Sequence, residues 1–136
     1  MITVQVFVKA PVEKVWKFWT EPEHIVQWAF ASDDWEAPAA ENDVRVGGKF
    51  TTTMAAKDGS AKFDFTGRYT VVIPNEKLEY AIEDGRKVTV EFTAEGDKTK
   101  VTESFDAETI NSEEQQRAGW QAILENFRKH VEINRV

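Results

Sequence analysis

A chain of 136 residues with 24 acidic against 17 basic side chains, and a formal net charge of −7, is a poor partner for nucleic acid or an anionic membrane. Both demand clustered Lys and Arg that displace counterions, and the basic residues here are scattered. Cysteine is absent, which excludes disulfides, thiolate nucleophiles and cysteine-based metal sites, and no apolar run reaches the ~18 residues that a membrane span needs.

Met1 leads straight into a period-two pattern, Ile2, Val4, Val6 and Val8 sharing one face of a strand over residues 2–8. That leaves no room for a signal peptide, and the expectation is a cytoplasmic protein of one domain, residues 1–136. Ala10-Pro11 opens a helix with proline in its first turn. Val12, Val15, Trp16 and Trp19 make its apolar face. Glu21-Pro22 ends it and starts a second short helix, with Ile25 and Trp28 on the apolar side. Residues 31–48 hold no clean period and read as loop, with room for one short strand.

From Lys49 the pattern is strand and turn. Phe50, Thr52 and Met54 alternate before Asp58-Gly59. Phe63, Phe65, Gly67, Tyr69, Val71 and Ile73 alternate before Pro74-Asn75, and Leu78, Tyr80 and Ile82 before Asp84-Gly85. Val88, Val90, Phe92 and Ala94 follow, then Gly96, then Val101, Glu103, Phe105 and Ala107. Asp-Gly between alternating segments is a strong hairpin signal, and short connections make neighbours antiparallel. Ser112-x-x-Gln115 is a capping box. The helix after it runs to about Asn134, with Trp120, Ile123, Leu124, Phe127 and Val131 on one stripe. At 1.5 Å per residue it is a rod of roughly 30 Å.

These elements predict an α+β fold: a curved antiparallel sheet of six or seven strands wrapped around a long C-terminal helix, with two short helices after strand one. A straight helix touches a coiled sheet along a line, so space is left between them.

The order of elements resembles the helix-grip fold of the START-like, or SRPBCC, superfamily. Ala10-Pro11-x3-Val15-Trp16-x2-Trp19-Thr20-x-Pro22-x2-Ile25-x2-Trp28 resembles the N-terminal signature of the activator of heat shock protein 90 ATPase-like family. Arg45-x-Gly47-Gly48-x-Phe50, the stretch from Gly67-x-Tyr69 to Pro74-x3-Leu78, and Gly119-Trp120 fit the same family, so the resemblance spans nearly the whole chain. It implies an apolar cavity between sheet and C-terminal helix. Superfamily members include binders of lipids, hormones or polyketides, some cyclases, and one branch that stimulates a chaperone ATPase.

Five tryptophans, four of them between residues 16 and 35, point to the same cavity. Its expected roof is Trp120 and Phe127, with Leu124 beside them. The expected floor is Phe63, Phe65, Tyr69, Tyr80 and Phe92, flanked by Phe50, Met54 and Phe105. Trp16, Trp19 and Trp28 would close one end. Trp35 is either a lid over the mouth or a staple holding its loop. Strict alternation turns Glu103 inward, where it would be a ligand anchor or general base; a bulge or an open sheet end would return it to water. Arg117 flanks the helix stripe and either meets an anionic head group or Glu103, or lies along the helix edge in water. Gly119 costs about 1 kcal/mol inside a helix; close approach of the helix to its neighbours, or a hinge, would account for it.

His24 and His130 share no ligand spacing, so no metal site is expected. No catalytic triad, calcium loop or phosphate cradle is present, so no cofactor and no catalytic residue is assigned. The leading expectation is a binder of a small apolar or aromatic ligand. A chaperone-binding interaction protein and a small cyclase or hydrolase using Glu103, with Tyr69 or Tyr80, are the alternatives.

Overall fold

The computed structural model describes residues 1–134. Strand β1 (Ile2–Val8) is followed by helices α1 (Val12–Thr20) and α2 (Pro22–Trp28). Six strands come next: β2 (Trp35–Asn42), β3 (Lys49–Ala56), β4 (Lys62–Ile73), β5 (Lys77–Ile82), β6 (Lys87–Glu95) and β7 (Lys98–Phe105). Helix α3 (Glu113–Ile133) completes the described fold. The strands form one curled antiparallel sheet of order β1-β7-β6-β5-β4-β3-β2. Six strands form a meander in chain order, and β1 adds to its far edge beside β7, so α1 and α2 carry the chain from one edge of the sheet to the other. The helix-grip expectation holds, with seven strands.

Local sequence explains most boundaries. Pro11 stands one position earlier than expected, as the cap residue of α1, while Pro22 takes the first turn of α2. Ser112 accepts a hydrogen bond from the Gln115 N–H and Gln115 reaches back to the Ser112 N–H, closing the capping box of α3. Gly59, Gly85 and Gly96 take positive φ at the hairpin tips that the turn signals marked.

Two stretches depart from the sequence pattern. Residues 35–42 are an eight-residue strand, filling most of a stretch that reads as loop with room for one short strand. A register shift between Glu36 and Ala39, beside Pro38, breaks the alternation there, and β2 is the sheet edge, where both features are tolerated. In β4 the register shifts between Tyr69 and Val71, so Val72 rather than Val71 pairs with buried Leu78.

One buried cluster draws on every element, and most of its fully sealed side chains lie toward the β1 end of the sheet. Val4, Val6 and Val8, with Val90, Val101 and Phe105, meet Leu124, Phe127 and Val131 of α3 in one buried cluster. No helix among the described residues is long and apolar enough to cross a membrane.

Candidate functional site: a cavity under the long helix

Helix α3 is tied to one side of the sheet. The Gln121 Nε2 group donates to the Gln5 carbonyl at 3.1 Å, and the Lys9 N–H donates to the Glu132 carboxylate at 2.9 Å, both joining α3 to the β1 side. The helix therefore leaves the concave face of β3, β4 and β5 uncovered near its own N-terminal half. The result is a cavity of about 550 Å³, within the ~300–1,000 Å³ of small-molecule sites.

Its walls are built by register. Phe50 pairs with Gly67 across β3 and β4, and the missing side chain lets the Phe50 ring lie against the strand. Phe50 then meets Tyr80 edge-on at 4.8 Å between ring centroids and Tyr69 at 5.3 Å. The Tyr69 hydroxyl donates to Asn42 Oδ1 at 2.6 Å, and Asn42 Nδ2 donates to the Thr20 carbonyl at 2.7 Å. Asn42 thus fixes the wall to the end of α1. Burial raises the Tyr69 phenol to about 12, and burial first, then the charges of Glu103 and Tyr69, raise Tyr80 well above its ordinary value. Both hydroxyls stay protonated at neutral pH.

Across the cavity, Trp120 stacks on Phe105 at 3.8 Å and 10° between ring planes, and meets Phe65 edge-on at 6.2 Å. Gly119 beside it faces open space: a β-carbon there would find no atom within 4 Å. The expectation of close helix approach at Gly119 is therefore corrected. The glycine borders the cavity, and its effect is to leave room.

Glu103 points inward. It is 6 % exposed and flanked along β7 by the buried Val101 and Phe105, so the strand keeps its alternation and neither a bulge nor an open end returns it to water. Burial alone pushes its carboxyl up to about 8. At pH 7 it is mostly protonated.

Of the expected wall, the structure brings Trp19, Trp28, Phe50, Met54, Phe63, Phe65, Tyr69, Tyr80, Glu103 and Trp120 together around the cavity. It places Trp16, Phe92, Phe105, Leu124 and Phe127 elsewhere. Leu124, Phe127 and Phe105 are sealed in the core, and Trp16 packs edge-on against Phe92 at 5.4 Å. The reason is the helix position: the stripe of α3 divides, its C-terminal half pressing on the β1 side and its N-terminal half facing the space. Trp35 starts β2 and packs against Phe63 at 5.9 Å, outside the cavity wall. Arg117 is exposed and also lies outside.

The buried polar residue of that turn is its neighbour Gln116. Its Nε2 donates to the carbonyls of Asn111 and Glu108, at 2.8 and 3.2 Å, and its Oε1 accepts from the Glu108 N–H at 2.9 Å. Gln116 pins the loop between β7 and α3 at the cavity mouth. Sequence reading passed over Asn42, Arg86, Glu108 and Asn111, which also border the space. Only the capping box, which fixes where α3 begins, signalled that Gln116 stands at the mouth.

The two histidines, unrelated by spacing, meet in space. His24 Nδ1 and His130 Nε2 are 3.0 Å apart and share a hydrogen bond, and the His24 ring stacks on buried Phe18 at 3.8 Å. Burial first, then the charges of His24 and Lys14, lower the His130 pKa. Possible ligand atoms of Glu21, Glu23 and His24 lie within 4.8 Å of one another, beside this pair and apart from the cavity.

Comparisons with known proteins agree with this architecture. Residues 9–132 match the family model described as Activator of Hsp90 ATPase homolog 1-like protein. The solution structure of an AHSA1-like protein from Aeromonas hydrophila is 44 % identical, with a TM-score of 0.89 over 97 % of this chain and 93 % of that one. A solution structure from Cytophaga hutchinsonii is 56 % identical, with a TM-score of 0.84 over 98 % and 92 %. A crystal structure from Nitrosomonas europaea, at 21 % identity, shares the fold with a TM-score of 0.80 over 97 % and 94 %. No curated protein matches.

Proposed function

The chain belongs to the Activator of Hsp90 ATPase homolog 1-like family, and from that premise we propose that it binds a small apolar or aromatic molecule between the sheet and α3. One observation carries this reading: a space of about 550 Å³ bordered by Trp28, Phe50, Phe65, Tyr80 and Trp120 that Gly119 leaves open. A plain core would close at such a place, because protein interiors pack to the density of organic crystals. Gly119 gives up helix propensity at the same spot, which fits a need for room.

The test is titration of the chain with a neutral aromatic probe, 2-(1-naphthyl)ethanol, followed by isothermal titration calorimetry, alongside native mass spectrometry of freshly purified protein. Binding to the natural sequence and loss of binding in Gly119→Phe, which fills the space, are expected. Equal binding by both proteins, or none by the natural one, would overturn the reading.

A further inference from the structure

Glu103 makes the cavity chemically specific. Its carboxyl borders the space, is 6 % exposed, and is shifted by burial alone, with no hydrogen bond or charge from the protein among the causes. Its partners across the sheet are Val4 on β1 and Val90 on β6, which offer it no polar side chain. Tyr80 of β5 is the titrating group that feels its charge. The Glu103 carboxyl has no hydrogen-bond partner among the described residues, yet its oxygens are not sealed off, so it meets the open space of the cavity, where a ligand group can supply that partner.

The other charged groups bordering the cavity set the sign. Among the described residues, Glu41 and Glu108 are acidic, and the one bordering guanidinium, Arg86, is engaged by Asp84 at 2.8 Å. An anionic ligand would meet three carboxyl groups and one committed cation. A neutral ligand would leave Glu103 as a buried acid. A cation gains from all three acids, and the rings of Phe50, Phe65, Tyr80 and Trp120 suit the apolar body that carries it. Resting on the binding reading above, we infer that the ligand is an aromatic or alkyl amine, held as its ammonium ion with the charged end on Glu103 and the apolar body among those rings.

With a midpoint of about 8, roughly one Glu103 in ten is ionised at pH 7. The bound ammonium keeps its proton, and Glu103 releases its own to water, forming a charge-assisted pair. Amine affinity therefore rises with pH until Glu103 is ionised in the free protein. Glu41 and Glu108, nearer solvent, and Arg86 border the same space; Tyr69 and Tyr80 remain neutral across that range.

The experiment compares 2-(1-naphthyl)ethylamine with 2-(1-naphthyl)ethanol by calorimetry on the full chain, in two pH 7 buffers of different ionisation enthalpy. Expected are amine binding about tenfold tighter than alcohol binding, proton release with the amine alone, and an amine affinity that Glu103→Gln reduces to that of the alcohol. Alcohol binding equal to or tighter than amine binding, or amine binding without proton release, overturns the amine assignment and leaves apolar binding standing. Failure of both compounds to bind overturns both readings. The two-compound comparison and the proton count use the natural chain, so they decide the matter even where Glu103→Gln does not fold.

Discussion

Trp120 lies flat on Phe105, the ring centroids 3.8 Å apart and the planes within 10°. One ring is sealed in the core and the other borders the cavity. The roof of the space is therefore anchored to the sealed part of the core. Trp120→Ala removes a half-buried ring and its stack on Phe105, and should cost about 2–3 kcal/mol in urea unfolding. Trp120→Phe keeps the stack and should cost less than about 1 kcal/mol. Equal losses for both variants would show that the stack contributes nothing.

Gly119→Ala should stabilise the chain by about 0.5–1 kcal/mol. Alanine is the better helix former, and its β-carbon would meet nothing within 4 Å. A measured loss of stability would mean that the turn is closed in solution.

Gly67→Ala should do the opposite. Its β-carbon would fall 2.6 Å from Phe50 Cε2 and 2.9 Å from the Ala81 carbonyl oxygen. The ring can swing into the cavity, but the carbonyl belongs to a paired strand. A loss of about 2–3 kcal/mol is expected, and adding Phe50→Leu should recover only part of it. Full recovery would assign the whole conflict to the ring.

The pH dependence of stability should carry the mark of Glu103. Its pKa is about 8 folded against an ordinary 4.5. Between those values the folded chain binds more protons than the unfolded one, so this contribution is full below 4.5 and is lost as pH rises to about 8. The stability difference, Glu103→Gln minus natural chain, should grow by roughly 3 kcal/mol from pH 5.5 to 8.5. A difference that stays constant would place Glu103 in water.

His130 acts with the reverse sign. Its pKa is lowered from 6.5 by burial and by the charges of His24 and Lys14. The unfolded chain takes up protons first as pH falls, so this contribution is present above 6.5 and fades as pH drops through the folded midpoint. Imidazole NMR titration should find His130 below its ordinary value; a midpoint at or above 6.5 would show that burial and the charges of His24 and Lys14 do not act on it.

The sequence by itself determined the elements and their order, because each rests on local physics. Period two marks β1 and β3 to β7, period 3.6 marks α3, and Asp-Gly and Pro mark the ends. At β2 it left a loop with room for one short strand, because a bulge beside Pro38 and an edge position erase alternation. For the site, period could say that Glu103 and the aromatic rings face inward, since facing is local. It could not say which inward residues meet other side chains and which meet space. Leu124 and Trp120 share one stripe, yet the first is sealed and the second borders the cavity. That division depends on α3 being held to the β1 side by contacts 116 and 123 residues apart in the chain. The His24–His130 pair, 106 residues apart, and the open face of Gly119 were decided at the same level. A cavity is a property of how elements lie across one another, and no local period encodes that.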